Sequence, residues 1–126
     1  MKKILLDTSV VIDSLRRKDK ENSLHYKLSE EDLYISIVTH TELYSGKSVW
    51  ENEEAISELR KFFSGITILP LVEELSKQAG KIKAYNHDRS LLDCIIAATA
   101  LDHNLTLATL NIKDFKNIRG LKLFKS

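Results

Sequence analysis

The stretch Ile4-Leu5-Leu6-Asp7-Thr8-Ser9 constrains this chain more than any other. An apolar run entered directly from the N-terminus suits a strand buried on both faces of a parallel sheet. The run stops at Asp7, and Thr8 and Ser9 can cap a helix whose apolar positions Val11, Ile12 and Leu15 fall at helical spacing. Open α/β sheets bind their ligands outside the carboxyl ends of the strands, where Asp7 stands. For an isolated Asp at such a junction, capping is the ordinary role. The argument for chemistry therefore rests on the other acids.

The rest of the chain alternates in kind. After a polar turn at 16–20, residues 21–28 predict a short amphipathic helix. Residues 33–38 predict a strand, with a helix opening at Thr39, where Thr39-x-x-Glu42 has the form of a capping box. Residues 51–63 form a charged amphipathic helix, 66–69 a strand closed by Pro70, and 71–85 a further helix. Residues 90–101 are apolar nearly all round, as a central helix is. A strand at 105–108, a turn and short helix at 109–115, and an edge strand at 121–124 complete the chain. The pattern predicts a three-layer α/β/α fold over residues 1–126 as one domain, with a mostly parallel sheet of four to five strands.

Composition removes several classes. Hydrophobic residues at 43% and charged residues at 29% are ordinary for a soluble globular chain of this length, which can bury a substantial core. One proline and four glycines leave no linker. The opening apolar run is too short for a secretory signal, and the uncharged run 94–101 is too short to span a bilayer, so no membrane is expected. A single cysteine excludes an internal disulfide framework and fits a reducing cytoplasm. The net charge of +1 hides an uneven distribution, with basic ends and an acidic middle. Basic ends can meet a polyanion when both lie near one site, although charge alone is equally a solvated surface.

Asp93 lies in the first turn of the apolar helix, where an ionised carboxylate is costly unless paired or bound to metal. Ser90-x-x-Asp93 is again a capping box in form, so local capping competes for Asp93 as it does for Glu42. Capping leaves the coincidence unexplained. Asp7, Glu42 and Asp93 each lie at or just inside a predicted helix start, and Asp114 follows the strand at 105–108. At one sheet edge these carboxylates would repel unless a cation sat among them. Hard Mg²⁺ or Mn²⁺ takes such oxygen ligands and keeps several waters. That arrangement suits metal-assisted phosphodiester hydrolysis, with water activated by the ion in the absence of a dedicated base.

On Leu5-Leu6-Asp7-Thr8-Ser9, Thr41-Glu42-Leu43 with Gly46, 92–100 and 109–115, in this order and spacing, the chain resembles a PIN-domain ribonuclease of the VapC type, the toxin of type II toxin–antitoxin systems. The resemblance covers essentially the whole chain. It implies that Asp7, Glu42 and Asp93 form an acidic metal site, with the fourth place taken by either Asn111 or Asp114. Thr109 matches a hydroxyl position near the metal, and Thr8 supports the same site. Leu91 stands where many members carry a further acid. The resemblance also implies an RNA substrate, a homodimer, and a small antitoxin that neutralises the site.

Arg16, Arg17, Lys113 and Lys116 are the candidates for phosphate contacts. The four histidines show no zinc spacing, and His40 beside Glu42 is read as a surface or capping residue. Cys94 is a small core residue. Trp50, Tyr44 and Tyr34 can stack bases but suit aromatic packing equally. Two rivals remain: an aspartyl phosphatase, disfavoured because Ser9 stands where a second Asp is needed, and a PIN-like module that binds RNA or a partner without turnover.

Overall fold

A computed structural model describes residues 1–125. Its centre is a five-stranded, all-parallel sheet in the order β3-β2-β1-β4-β5. The strands are β1 (Lys3–Leu6), β2 (Asp32–Ser36), β3 (Thr67–Leu69), β4 (Thr106–Ala108) and β5 (Lys122–Leu123). The chain leaves β1 in one direction through β2 to β3, then returns to β4 and β5 on the other side. The reversal falls between β1 and β4. That is the crevice where open α/β sheets place a ligand.

Strand β1 is buried on both faces, as its run of apolar residues predicts. Ile4 and Leu6 pack with Val10, Val11, Leu33, Ile35, Leu59 and Phe63 on one side. Leu5 packs with Ile96, Ala97, Leu107 and Phe115 on the other. Each such fully buried side chain stabilises the fold by about 1.5–3 kcal/mol before entropy is counted. The first face is covered by α1 (Thr8–Arg16), α2 (Leu24–Lys27) and α5 (Glu53–Phe63). The second is covered by α7 (Leu91–Asp102), which is itself backed by α6 (Glu73–Ala84) through Ala98, Leu75 and Ala79. The alanines of α7 allow sheet and helix to approach from both sides, which is why this helix is apolar nearly all round.

Four expected boundaries move, each for a local reason. The second helix shortens to α2 after a 3-10 turn at Lys20–Asn22, because the Ser23 hydroxyl caps at Tyr26 N–H. The helix after β2 is α3 (Ile37–Tyr44) and begins at a Ser36 cap, so Thr39 is interior and Thr39-x-x-Glu42 is not a capping box. The helix expected at 51–63 divides into α4 (Lys47–Glu51) and α5 at Asn52, whose side chain accepts from the Glu54 and Ala55 N–H groups. The short helix at 109–115 is a single 3-10 turn, Ile112–Asp114. Helix α7 ends at Asn104 in the left-handed region (φ 53°), where the Leu105 N–H bonds back to Ala100 O at 2.8 Å and turns the chain into β4. Among the described residues, no helix is long and apolar enough to cross a membrane.

Candidate active site

Asp7 follows Leu6, whose register partner across the crevice is Ala108; the Asp7 N–H continues the ladder to Ala108 O at 2.9 Å. Asp7 therefore stands beside Thr109. Its position is the N-cap of α1, yet its carboxylate makes no capping bond. Instead Oδ2 accepts from Thr109 Oγ1 at 2.7 Å and from Ser9 Oγ at 2.8 Å. Ser9 Oγ also accepts from the Leu110 N–H, and Thr109 Oγ1 accepts from the Asn111 N–H. The two hydroxyls are thus orientated toward Asp7 by the backbone of the loop after β4. Asp7 is only 3% exposed, and no buried side-chain oxygen among the described residues lacks a partner. Its second oxygen, Oδ1, has no hydrogen-bond partner among the described residues, and Asp7 lines a cleft.

Glu42 arrives from the second turn of α3, away from any helix start. The Thr8 hydroxyl donates to its Oε1 at 2.8 Å and lies 3.0 Å from the buried Thr39 hydroxyl. Capping therefore accounts for neither Asp7 nor Glu42. For Asp93 it accounts for half: Ser90 Oγ accepts from the Asp93 N–H at 3.0 Å, but among the described residues the Ser90 N–H donates no return bond to the carboxylate. Burial raises the Asp93 pKa above the ordinary carboxylate value against an opposing pull from the Ser90 hydroxyl, and the charges of Asp7, Asp114 and Glu42 add to the rise. Asp93 senses all three.

Asp7, Thr8, Glu42, Asp93 and Asn111 line a single cleft of about 260 Å³. Asp114 does not. It lines a neighbouring cleft, reached across Asp93, together with Lys113. Of the two candidates for a fourth position, Asn111 shares the cleft of Asp7. The expected convergence is incomplete, because among the described residues no three Asp, Glu, His or Cys side chains are gathered closely enough to hold one ion. The donor set nonetheless fits a hard divalent cation in kind: oxygen ligands, one carboxylate oxygen open at Asp7, and like charges that raise the Asp93 pKa.

These features can be set beside known proteins. A family model described as PIN domain matches residues 4–121. The chain is 35% identical to Ribonuclease VapC1 of Rickettsia felis, with 95% of this chain and 93% of that protein covered. The chain belongs to the VapC-type branch of the PIN-domain family. It is also 32% identical to Toxin FitB of Neisseria gonorrhoeae, over 89% of this chain and 90% of that protein. A solved toxin–antitoxin complex from Klebsiella pneumoniae superposes with a TM-score of 0.74 at 26% identity, covering 94% of each chain. The parallel three-layer sandwich is thus the PIN fold, and its crevice is where the acidic residues lie.

The basic candidates separate within this PIN fold. Helix α1 starts at the crevice and runs about 13 Å away from it, so Arg16 and Arg17 are carried to the far end. Arg17 is engaged there with Asp13 at 3.1 Å and Asp19 at 3.4 Å. Lys113 lines the neighbouring cleft, and Lys116 is exposed on the same turn. His40 packs against Tyr44 and Phe63, and His25 against Phe62, where burial lowers its pKa. Two residues exceed what their sequence context suggests. Local pattern makes Ser9 only a cap, whereas its partner lies a hundred positions away. Local pattern makes Arg89 only loop, yet its guanidinium holds the carbonyls of Asp114 and Lys116.

Proposed function

We infer that this chain is an endoribonuclease, the toxin of a toxin–antitoxin pair, that hydrolyses RNA phosphodiester bonds with Mg²⁺ or Mn²⁺ held by carboxylates. One observation carries the reading: the Asp7 carboxylate, set at a helix start, forgoes capping and is held through one oxygen by Ser9 and Thr109 in the wall of a cleft that Glu42 and Asp93 also line. A structural acid would have no need of that arrangement. The relatives named as a ribonuclease and a toxin support the same reading, and likeness to the Klebsiella pneumoniae toxin–antitoxin complex supports an antitoxin partner.

Asp7, Glu42, Asp93 and Asn111 would hold the ion, with Asp114 and Lys113 beyond Asp93. When bound, the ion would offset phosphate charge and lower the pKa of water enough to make it a nucleophile at neutral pH. The chain's own groups do the positioning. Ser9 and Thr109 fix Asp7, Thr8 fixes one oxygen of Glu42, and Asp93 is the carboxylate whose pKa burial raises. Homodimerisation and action in the cytoplasm belong to the same proposal. The binding-module reading draws on one observation, that the acids are not gathered at ligand distances.

The test is RNA cleavage by purified protein in Mg²⁺ or Mn²⁺, with and without chelator. Cleavage should vanish with chelator, and in Asp7→Ala and Asp93→Ala variants whose circular dichroism matches wild type. Unimpaired cleavage by Asp93→Ala would remove that residue from the mechanism. RNA binding without turnover would favour the module, and phosphate release from p-nitrophenyl phosphate alone would favour the phosphatase. Sequencing RNA fragments after expression of wild type and Asp7→Ala would name the target.

A further inference from the structure

The three acids of the cleft are not held alike. Asp7 is fixed by the ladder between β1 and β4, and Asp93 stands on the buried helix α7. Glu42 rides instead on α3, an eight-residue helix of which Thr39 alone is fully buried. Leu43 and Tyr44 meet the core only as partly buried side chains. A helix of that length owes its place to packing rather than to its own backbone. Whatever packs against α3 therefore decides where Glu42 stands.

The packing comes from a row of rings. The His40 ring centroid lies 4.8 Å from that of Tyr44, one turn on, and 4.8 Å from that of Phe63 in α5. Tyr44 is itself 6.0 Å from Phe63, so the three rings close on one another at spacings where aromatic pairs attract. The row runs on through Phe62, edge-on to Phe63, to His25 in α2. Residues 40 and 44 share one side of α3, and residue 42 is about 200° round from both. The rings thus grip the side opposite Glu42, which is left turned toward Thr8, whose hydroxyl donates to Oε1 at 2.8 Å. A side-chain carboxylate lies roughly 5–6 Å from its helix axis, so a rotation of about 10° carries it about 1 Å. A displacement of that size can cost a site about a hundredfold.

We propose that His40 is a positioning residue for Glu42: its ring, held between Tyr44 and Phe63, sets the rotation of α3 about its own axis and so the placing of the Glu42 carboxylate in the acidic cleft. The imidazole acts here as a ring, and its nitrogens are not needed. The inference rests on the reading that Glu42 helps to hold a divalent cation, and it adds the residue that places Glu42 to do so.

Calorimetric titration of Mg²⁺ into the intact protein tests it. His40→Ala should bind Mg²⁺ about tenfold more weakly than wild type, a loss typical when the support of a metal ligand is removed. His40→Phe, which keeps a ring and drops both nitrogens, should restore the affinity. His25→Ala trims the far end of the row, where the ring partner is Phe62 and no residue of α3 is touched. It should lower stability in urea and leave Mg²⁺ affinity unchanged. Phe63→Leu, a core change that cores tolerate better than truncation, withdraws the same contact from the α5 side. It should weaken Mg²⁺ binding several-fold, whether or not His40→Ala folds. Wild-type affinity in His40→Ala or in Phe63→Leu, failure of His40→Phe to rescue, or an equal loss in His25→Ala would each overturn the inference alone. A wild type that binds neither Mg²⁺ nor Mn²⁺ would defeat the metal reading of Glu42, and this inference with it.

Discussion

On the sheet wall of the acidic cleft, Asp7 is buried and two hydroxyls converge on one of its oxygens, each hydroxyl held in turn by a backbone N–H. On the helix wall, Asp93 is half-buried, and that burial, with three other acids adding to it, pushes its pKa upward. The first carboxylate is fixed by hydrogen bonds, whereas the second is charged at a cost that a cation would reduce. A fixed carboxylate beside a strained one is how a site can be preorganised before a cation arrives and still gain from its arrival.

The widest separation between the walls should come from Asp7→Ala, which removes the fixed ligand. RNA cleavage should fall about a thousandfold or more, the rate equivalent of several kcal/mol, in a single-turnover assay. Next comes Thr109→Val, which keeps the shape but takes one hydroxyl from Asp7. Mg²⁺ affinity by calorimetry should drop about 10–100-fold, and stability in urea should fall by about 1–3 kcal/mol as Asp7 loses a buried partner. Thr8→Val, acting on Glu42 in the part-exposed α3, should cost about tenfold in the same Mg²⁺ titration. Equal losses from Thr8→Val and Thr109→Val would erase the distinction between a buried and an open support.

The smallest effect has the opposite sign. A carboxylate whose pKa is raised on folding destabilises the native state when ionised. Its penalty is absent below the unfolded-state pKa of about 3.9 and is felt as pH rises through the folded value. Asp93→Asn should therefore raise the Tm of the metal-free protein at pH 7 by about 2 °C, modest because the group is partly exposed and screened. The gain should vanish below about pH 4. Added Mg²⁺ should stabilise wild type more than the variant. A lower Tm for Asp93→Asn at pH 7 would contradict the strained wall.

Much of this is legible in the residues. The double burial of β1, the buried helix α7 and the parallel layered fold all follow from local pattern. Glu42 reaches the cleft for a different reason than its spacing from Thr39 implies. Ser36 starts α3 three residues before Thr39, and two hydroxyl residues at similar spacing look alike until one is seen bonded to Val38 N–H. The break at Asn52 carries a signal, since Asn is among the best caps, but the continuous charge and apolar stripe conceal it. Ser9 and Arg89 leave no such trace. The first acts through a loop a hundred residues distant, and the second binds carbonyls, which every residue possesses.

The bond from Thr109 to Asp7 spans 102 positions, and β1 lies between two strands that leave the ribosome far apart in time. A nascent chain therefore carries Asp7 long before it gains the hydroxyl partner and the whole far side of the crevice. A cleft so assembled has only one of its walls until Thr109 has been made.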